Sequence, residues 1–188
     1  MDKLYGKGAD IRMGQITSFK PEKLVMPVLI SRMQMRLSLL EELQTRYGPI
    51  DYTSIDLPFS YTRYYDGEMG TPITRFFISF LRLIDPGTLA QVKHETNALE
   101  SRFTEAGRRK VNIDPGLLNL SRFILASSKD GSHRIPLSDG VFAEVTLVYE
   151  RGGYRPLEWT YPDYRSEEYL GILADIRKLY KAEARRID

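Results

Sequence analysis

The feature that most limits the fold is a change of hydrophobic period that recurs between residues 23 and 114. Short apolar runs with the spacing of a strand alternate there with stretches in which apolar residues recur every three or four positions, as on one face of a helix. The resulting order is strand, helix, strand, strand, helix, strand, which is typical of a ferredoxin-like split βαβ unit. We therefore predict an α+β fold whose first half, about residues 23–114, is ferredoxin-like.

The first strand and the first helix meet at Ser31. Residues 24–30 are apolar, rich in β-branched side chains and too few for a helix, and Pro27 suits the edge or the start of a strand. Ser31 is then predicted to cap a helix that ends at Gly48 and Pro49. The predicted apolar face of this helix consists of Met33, Leu37, Leu40, Leu43 and Tyr47.

The rest of the first half is predicted to hold strands and a second helix. Residues 50–62 indicate an irregular strand, and residues 73–83 a buried strand, although their aromatic spacing would also suit a helix. Asp85 and the proline after it begin a helix whose apolar spacing continues until Gly107. A short strand is expected at residues 110–113.

The second half is predicted to be mainly β-structure. Residues 117–126 are interpreted as a short helix, with a strand as the alternative. Turn residues then separate strands at 133–137, 141–149 and 154–157, which is the pattern of an antiparallel β-meander. In the middle strand we expect Glu144 on the face opposite the most apolar row. That row consists of Val141, Ala143, Val145, Leu147 and Tyr149.

The chain is predicted to close with an amphipathic helix. Ser166 has the position of an N-cap, and Glu167 and Glu168 occupy the first turn, where the helix dipole favours acidic side chains. The expected buried face consists of Tyr169, Ile172, Leu173, Ile176 and Tyr180.

Composition narrows the class of protein. The 188 residues are 42% hydrophobic and 28% charged, as in a globular domain, and no apolar run approaches the roughly 20 residues that cross a bilayer. Residues 1–22 have no sustained period and no signal-peptide core, so we interpret them as a loose lead-in to a single domain at 23–188. Cysteine is absent, which fits a reducing compartment and excludes thiol chemistry. We therefore expect a cytoplasmic protein without a membrane span.

Four short runs of the chain are similar to one known family. They read YYDGEMG at 64–70, GRRKVNIDPG at 107–116, SHRI at 132–135 and WTYPDYRS at 159–166. In this order they resemble an uncharacterised bacterial family, domain of unknown function 4416, over roughly Lys23 to the final helix. The resemblance implies no reaction, cofactor or ligand, although members sometimes carry a GTP-binding label.

The residues do not support that label. A phosphate-binding loop needs Gly-x-x-x-x-Gly-Lys-Ser/Thr between a strand and a helix, because backbone amides and the lysine surround the phosphates. No such run occurs in the sequence. Gly6 and Gly8 follow no predicted strand, and Glu68 places a carboxylate between Gly67 and Gly70, where it would repel phosphate. The sequence therefore excludes a P-loop nucleotidase.

A basic cluster around His133 is the strongest candidate site. Arginine suits bidentate binding of phosphate or carboxylate, and Lys129 lies in a turn that could close over a ligand. We interpret the cluster as an anionic small-molecule site in which His133 or Asp114 moves a proton. The alternative is a basic helix end followed by an ordinary hairpin turn. The expected ligand-binding residues are Arg108, Arg109, Asn112, Lys129, Arg134, Tyr65 and Glu68.

The competing hypothesis is a binding module without catalysis. Tyr61, Tyr64 and Tyr65 lie together in one predicted loop, where their rings could stack on nucleobases or contact a protein partner. The alternative reading is that they fill the core of the loop, and a net charge of only +2 speaks against RNA. The two histidines, His94 and His133, are far apart in sequence, so no metal site is predicted, and no cofactor is indicated.

Overall fold

The computed structural model describes residues 16–185, and these form one ten-stranded antiparallel sheet, a separate short hairpin, and helices on both faces of the sheet. The helices are α1 (Arg36–Tyr47), α2 (Asp66–Met69), α3 (Leu89–Glu100) and α4 (Glu167–Ala184). The strands are β1 (Glu22–Ile30), β2 (Ile50–Thr53), β3 (Leu57–Pro58), β4 (Thr74–Ile84), β5 (Thr104–Glu105), β6 (Arg108–Arg109), β7 (Val111–Ile113), β8 (Gly116–Leu118), β9 (Arg122–Ser127), β10 (Arg134–Pro136), β11 (Phe142–Glu150) and β12 (Gly153–Pro156).

The predicted α+β class is confirmed. The main sheet has the order β10-β11-β9-β8-β1-β4-β2, with α1 and α3 packed on one face and α4 on the other. Strands β1, β2, β4 and β7 come from the half expected to be ferredoxin-like, and β8, which follows it, also pairs with β1. The ferredoxin-like classification itself stays a prediction. The interpretation of residues 1–22 as a loose lead-in also stays a prediction, and most of these residues lie outside the described residues.

Strand β1 lies at the centre of the sheet because both of its faces are apolar. Val28 faces the helices α1 and α3, and Val25 faces α4. Pro27 was expected at a strand edge, and this was wrong. The carbonyl of Pro27 accepts from the amide of Asp114, at the break between β7 and β8. The missing N–H of Pro27 faces the same break, so the central position costs no ladder hydrogen bond.

The first helix begins later than predicted. Residues Met33–Met35 form a 3₁₀ turn, and the hydroxyl of Ser31 donates to the carbonyl of Met69 instead of capping the helix. Leu37, expected on the apolar face, is 75% exposed, and Met33 is exposed as well. Leu39, Leu43 and Tyr47 are buried in the core, and Leu40, as predicted, packs against it while partly buried.

The second predicted helix corresponds to α3, which begins as predicted and ends early. The side chain of Asp85 accepts from the amide of Gly87, as expected for the cap. The helix stops at Glu100 rather than Gly107, because residues 104–109 turn back as the hairpin β5–β6, with Ala106 and Gly107 at positive φ.

The predicted helix at residues 117–126 is wrong, and the strand alternative is confirmed as β8 and β9. Gly116 allows this pairing, since a Cβ there would lie 2.4 Å from the carbonyl oxygen of Ile124. The strand predicted at residues 73–83 is confirmed as β4.

A bulge in β11 overturns the predicted alternation of this strand. The register shifts between Val145 and Leu147, so Leu147 packs toward α4. Leu125, the β9 partner of Glu144, packs on that same side, so Leu147 and Glu144 share a face of the sheet. The sheet also departs from a simple meander. Strand β9 runs along one edge of β11, while β10 pairs with the start of β11 and β12 with its end, both on the other edge.

The last helix matches its prediction. The hydroxyl of Ser166 accepts from the amide of Tyr169, and the five expected apolar residues of α4 are all buried. Within residues 16–185, no helix has both the length and the apolar character that a membrane span requires.

Candidate functional site

A cavity of about 560 Å³ lies where polar side chains of the sheet meet α3 and two loops. Strands β4, β9, β10 and β11 contribute to its wall, together with residues 112 and 114. The loop at residues 59–65 and the segment at 161–164, just before α4, complete it. Its size is within the range of pockets that bind small molecules.

Arg75 forms a buried cationic wall of the cavity. It belongs to β4 and is 3% exposed. One terminal nitrogen lies 3.3 Å from a carboxylate oxygen of Asp114, and the other lies 3.3 Å from a carboxylate oxygen of Asp163. The ring of Phe59 lies 5.1 Å from the guanidinium carbon. Burial raises the pKa of Asp163, and the attraction of Arg75 only partly offsets this.

Asp114 is held from three sides. Besides Arg75, the amide nitrogen of Asn112 donates to Asp114 at 3.0 Å, and Nζ of Lys93 lies 3.9 Å away. Lys93 also donates to the carbonyl of Ile113 at 3.0 Å. Asp114 is thus fixed by cations and an amide, and the proton-transfer role predicted for it stays a prediction.

A second carboxylate, Glu100, is anchored at the end of α3. One oxygen accepts from the amide of Ile113 at 2.6 Å, and the other accepts from Arg109 at 2.5 Å. Arg109 also pairs with Glu68, which does not line the cavity. Burial raises the pKa of Glu100, while Lys93 and Arg109 act in the opposite direction. The charge of Arg109 is therefore shared between two carboxylates.

Glu144 joins the two residues predicted at the centre of the basic cluster. Nε of Arg134 donates to Oε2 of Glu144 at 2.9 Å, and Nε2 of His133 lies 3.1 Å from the same oxygen. Arg134 further donates to the carbonyl of Lys129 at 2.9 Å and to the hydroxyl of Tyr161 at 3.1 Å. The His133 ring stacks on Trp159, with centroids 5.4 Å apart, and does not line the cavity.

Four buried polar atoms of residues in the cavity wall have no hydrogen-bond partner among the described residues. They are Oε1 of Glu144, the hydroxyl of Tyr164, and Nε of Arg75 and of Arg109. Of these, Nε of Arg109 lies 2.6 Å from Oε1 of Glu68 in an ion pair. Glu144 is 2% exposed and Tyr164 is 3% exposed. Burial raises the pKa of Tyr164 well above its ordinary value, so the hydroxyl keeps its proton.

The mouth of the cavity is aromatic and carries Lys129. The rings of Tyr61, Tyr64 and Tyr161 are about half exposed there. Nζ of Lys129 lies 4.5 Å from the centroid of the Tyr64 ring, in a cation–π contact. Across the part of the chain that the structure describes, Lys129 makes no ion pair with a carboxylate.

The structure brings most of the predicted site residues together. Arg108 is exposed on the β5–β6 hairpin and lies outside the cavity wall, as do His133 and Glu68. The predicted residues that line the cavity are Tyr65, Arg109, Asn112, Asp114, Lys129 and Arg134. Their functional roles stay predictions.

Sequence reasoning missed several charged residues of the wall. Arg75 lies in a mainly apolar strand, and Lys93 and Glu100 are seven residues apart on the buried face of a helix. A charge at a position that the hydrophobic period assigns to the core is the signal that could have found all three. Asp163 gave no such signal, because the aromatic segment around it has no clear period.

The comparisons with known proteins agree with the resemblance in sequence. A family model described as Domain of unknown function (DUF4416) matches residues 20–180, which include every residue of the cavity wall. Neither the curated proteins nor the solved structures contain a match. Within residues 16–185, no group of three or more histidine, aspartate or glutamate side chains is arranged to hold a metal ion. The chain belongs to the family described as Domain of unknown function (DUF4416).

Proposed function

We propose that the cavity binds a small molecule that carries a phosphate or carboxylate group. The observation that carries this proposal is the charge of the cavity wall, where five cationic side chains face four carboxylates. The other four cations lie within 4 Å of carboxylates, so the cation left to meet an incoming anion is Lys129, which makes no ion pair among the described residues. The anionic group of the ligand would therefore lie at the mouth, beside Lys129 and Tyr64.

The paired cations support the proposed anion site in a different way. Arg75 and Arg134 are almost fully buried, and each is held by carboxylate partners. They keep the wall rigid and polar, while Lys129 is exposed and can turn toward an incoming anion. This division between a fixed wall and a mobile lysine suits reversible binding of a small ligand.

Calorimetry with the full chain tests the proposal. The probes are inorganic phosphate, ribose 5-phosphate and citrate, each titrated into the wild type and into Lys129→Met. We expect at least one probe to bind, and we expect Lys129→Met to weaken it about tenfold, the effect of losing one charged hydrogen bond. Lys178→Met is the matched control, because Lys178 is exposed on α4 and does not line the cavity.

If no anionic probe binds, or if Lys129→Met and Lys178→Met bind equally well, the proposal is rejected. Thermal shift gives an independent reading, since a ligand present at about a hundred times its dissociation constant stabilises the protein by about 2.7 kcal/mol.

A second candidate function is the binding of RNA or a protein partner without catalysis. The observation in its favour is that Tyr61 and Tyr64, although each contacts other aromatic rings, are about half exposed at the mouth. Stacking of a base on such a ring contributes about 1–3 kcal/mol. Fluorescence anisotropy with a labelled single-stranded RNA would show binding that Tyr64→Ala weakens, and a lack of binding at low salt would remove the RNA form of this candidate.

A further inference from the structure

Two of the four unpartnered atoms of the cavity wall do not belong to arginines, and they indicate which other groups a ligand carries. Oε1 of Glu144 is an acceptor and the hydroxyl of Tyr164 is a donor, and both belong to side chains that are more than nine-tenths buried. Buried polar groups in proteins nearly always have hydrogen-bond partners. Both residues line the cavity, so a molecule bound there can supply those partners.

The surroundings of Glu144 select a neutral donor. Its other oxygen, Oε2, already contacts Arg134 and His133, at 2.9 Å and 3.1 Å. The guanidinium of Arg134 therefore balances the charge of the carboxylate. A ligand ammonium group would bring a second cation close to Arg134, whereas a hydroxyl group supplies the hydrogen bond without added charge.

The surroundings of Tyr164 select an acceptor. The phenol is fully buried against Phe77, Phe123 and Tyr169, so it stays protonated and donates its hydrogen bond. A hydroxyl group of a ligand can accept from Tyr164 as readily as it can donate to Glu144. The same type of group, a hydroxyl, thus satisfies both the acceptor of Glu144 and the donor of Tyr164.

We propose that the ligand is a hydroxylated anion of the sugar phosphate or sugar acid class, with its anionic group at Lys129 and its hydroxyl groups bonded to Glu144 and Tyr164. This inference rests on the proposed anion site and adds the chemistry of the rest of the molecule. The cavity volume of about 560 Å³ is sufficient for a molecule of this size. The half-exposed tyrosine rings at the mouth offer flat apolar surfaces to the carbon face of a sugar ring.

A matched pair of probes tests the inference on the wild-type protein. Ribose 5-phosphate and tetrahydrofurfuryl phosphate share the ring and the phosphate, but only the former carries hydroxyl groups on the ring. We expect tetrahydrofurfuryl phosphate to bind at least tenfold more weakly in calorimetry. Ribonate and pentanoate form the corresponding carboxylate pair, and the pair that binds more tightly identifies the anionic group.

The outcomes separate the two proposals. Equal affinity within the pairs overturns the hydroxyl inference and leaves the anion site standing. Absence of binding by all four probes, together with inorganic phosphate and citrate, overturns both.

Two substitutions locate the hydroxyl contacts. Tyr164→Phe removes only the hydroxyl, and we expect it to weaken ribose 5-phosphate about fivefold while leaving tetrahydrofurfuryl phosphate unchanged. Tyr154→Phe is its control, because the hydroxyl of Tyr154 is also buried and unpartnered but does not line the cavity. Equal affinities in the two variants would overturn the assignment of Tyr164.

Glu144→Gln tests the acceptor in the same way. We expect the preference for ribose 5-phosphate over tetrahydrofurfuryl phosphate to fall severalfold. Glu150→Gln, at the exposed end of the same strand, is the control. If Glu144→Gln does not fold, the wild-type probe pairs and Tyr164→Phe still decide the inference.

Discussion

Two buried cations hold the two ends of α4, and they differ in what lies beside them. Lys23, fully buried on β1, pairs with Asp51 and also donates to both carboxylate oxygens of Glu183, at 2.7 and 2.8 Å, near the end of the helix. Arg75 on β4 pairs with Asp163, in the turn that precedes the helix. The Lys23 cluster lies outside the cavity wall, whereas Arg75 is part of it.

The comparison shows that a buried ion pair does not by itself indicate a functional site. Both clusters join one cation to two carboxylates, and both connect the sheet to the same helix. Arg75 borders a cavity whose wall includes buried polar atoms without partners among the described residues, whereas no residue of the Lys23 cluster lines that cavity. An ion-pair cluster that only supports the fold is therefore distinguished from one at a candidate site by whether it borders a cavity, and not by its residue types.

Lys23→Met should give the largest loss of stability. The substitution leaves Asp51 and Glu183 facing each other in a mostly buried place, and the loss of one partner of a buried pair costs about 3–5 kcal/mol. We expect the free energy of unfolding in urea to fall by that amount, with ligand affinity unchanged at temperatures where the variant is folded. Lys181→Met, an exposed position on α4, is the control. A loss below about 1 kcal/mol, as for an exposed pair, would contradict the clamp role of Lys23.

Arg75→Met should cost less stability and abolish binding. We expect a loss of about 2 kcal/mol, because the cavity lets water reach the carboxylates that the substitution leaves behind. Calorimetry should show no binding of whichever anionic probe binds the wild type, since the wall loses its buried cation. If Arg75→Met destabilises as much as Lys23→Met and binds normally, the two clusters do not differ in the way proposed here.

The pH dependence of stability should show the smallest effect. Burial raises the pKa of Asp163 above its ordinary value of 3.8, and burial also raises the pKa of Glu183. A carboxyl group with a raised pKa in the folded state favours folding while it is protonated, and this contribution is lost as the pH rises through the raised pKa. Asn cannot ionise, so the stability of Asp163→Asn should improve relative to the wild type as the pH rises above 3.8. Urea unfolding at several acidic pH values would measure this, and a change of the opposite sign would refute it.

Much of the secondary structure could be predicted because local patterns decide it. The caps at Asp85 and Ser166 and the buried face of α4 follow from local hydrogen bonds and periodicity. The errors arose where long-range contacts decide. Gly116 allows a close strand approach that turns an expected helix into β8 and β9, and Ser31 bonds to Met69 instead of capping a helix.

The candidate site was predictable in part for the same reason. Its basic and tyrosine residues occur in short sequence runs, so Lys129, Arg134 and Tyr65 could be named. Arg75 and Glu144 belong to strands that are distant in sequence, and only the register of the sheet brings them to one cavity.

The sequence by itself determined the α+β class, the first apolar strand, the closing helix and the presence of a local basic cluster. Each of these depends on the spacing of residues along one short segment. Only the tertiary structure decided that His133 lies behind Glu144 rather than in the cavity wall, that Lys129 has no carboxylate partner among the described residues, and that Arg75 and Lys23 have different surroundings. The physical reason is that pairing and burial depend on which segments meet across the sheet, and the period of a single segment does not contain that information.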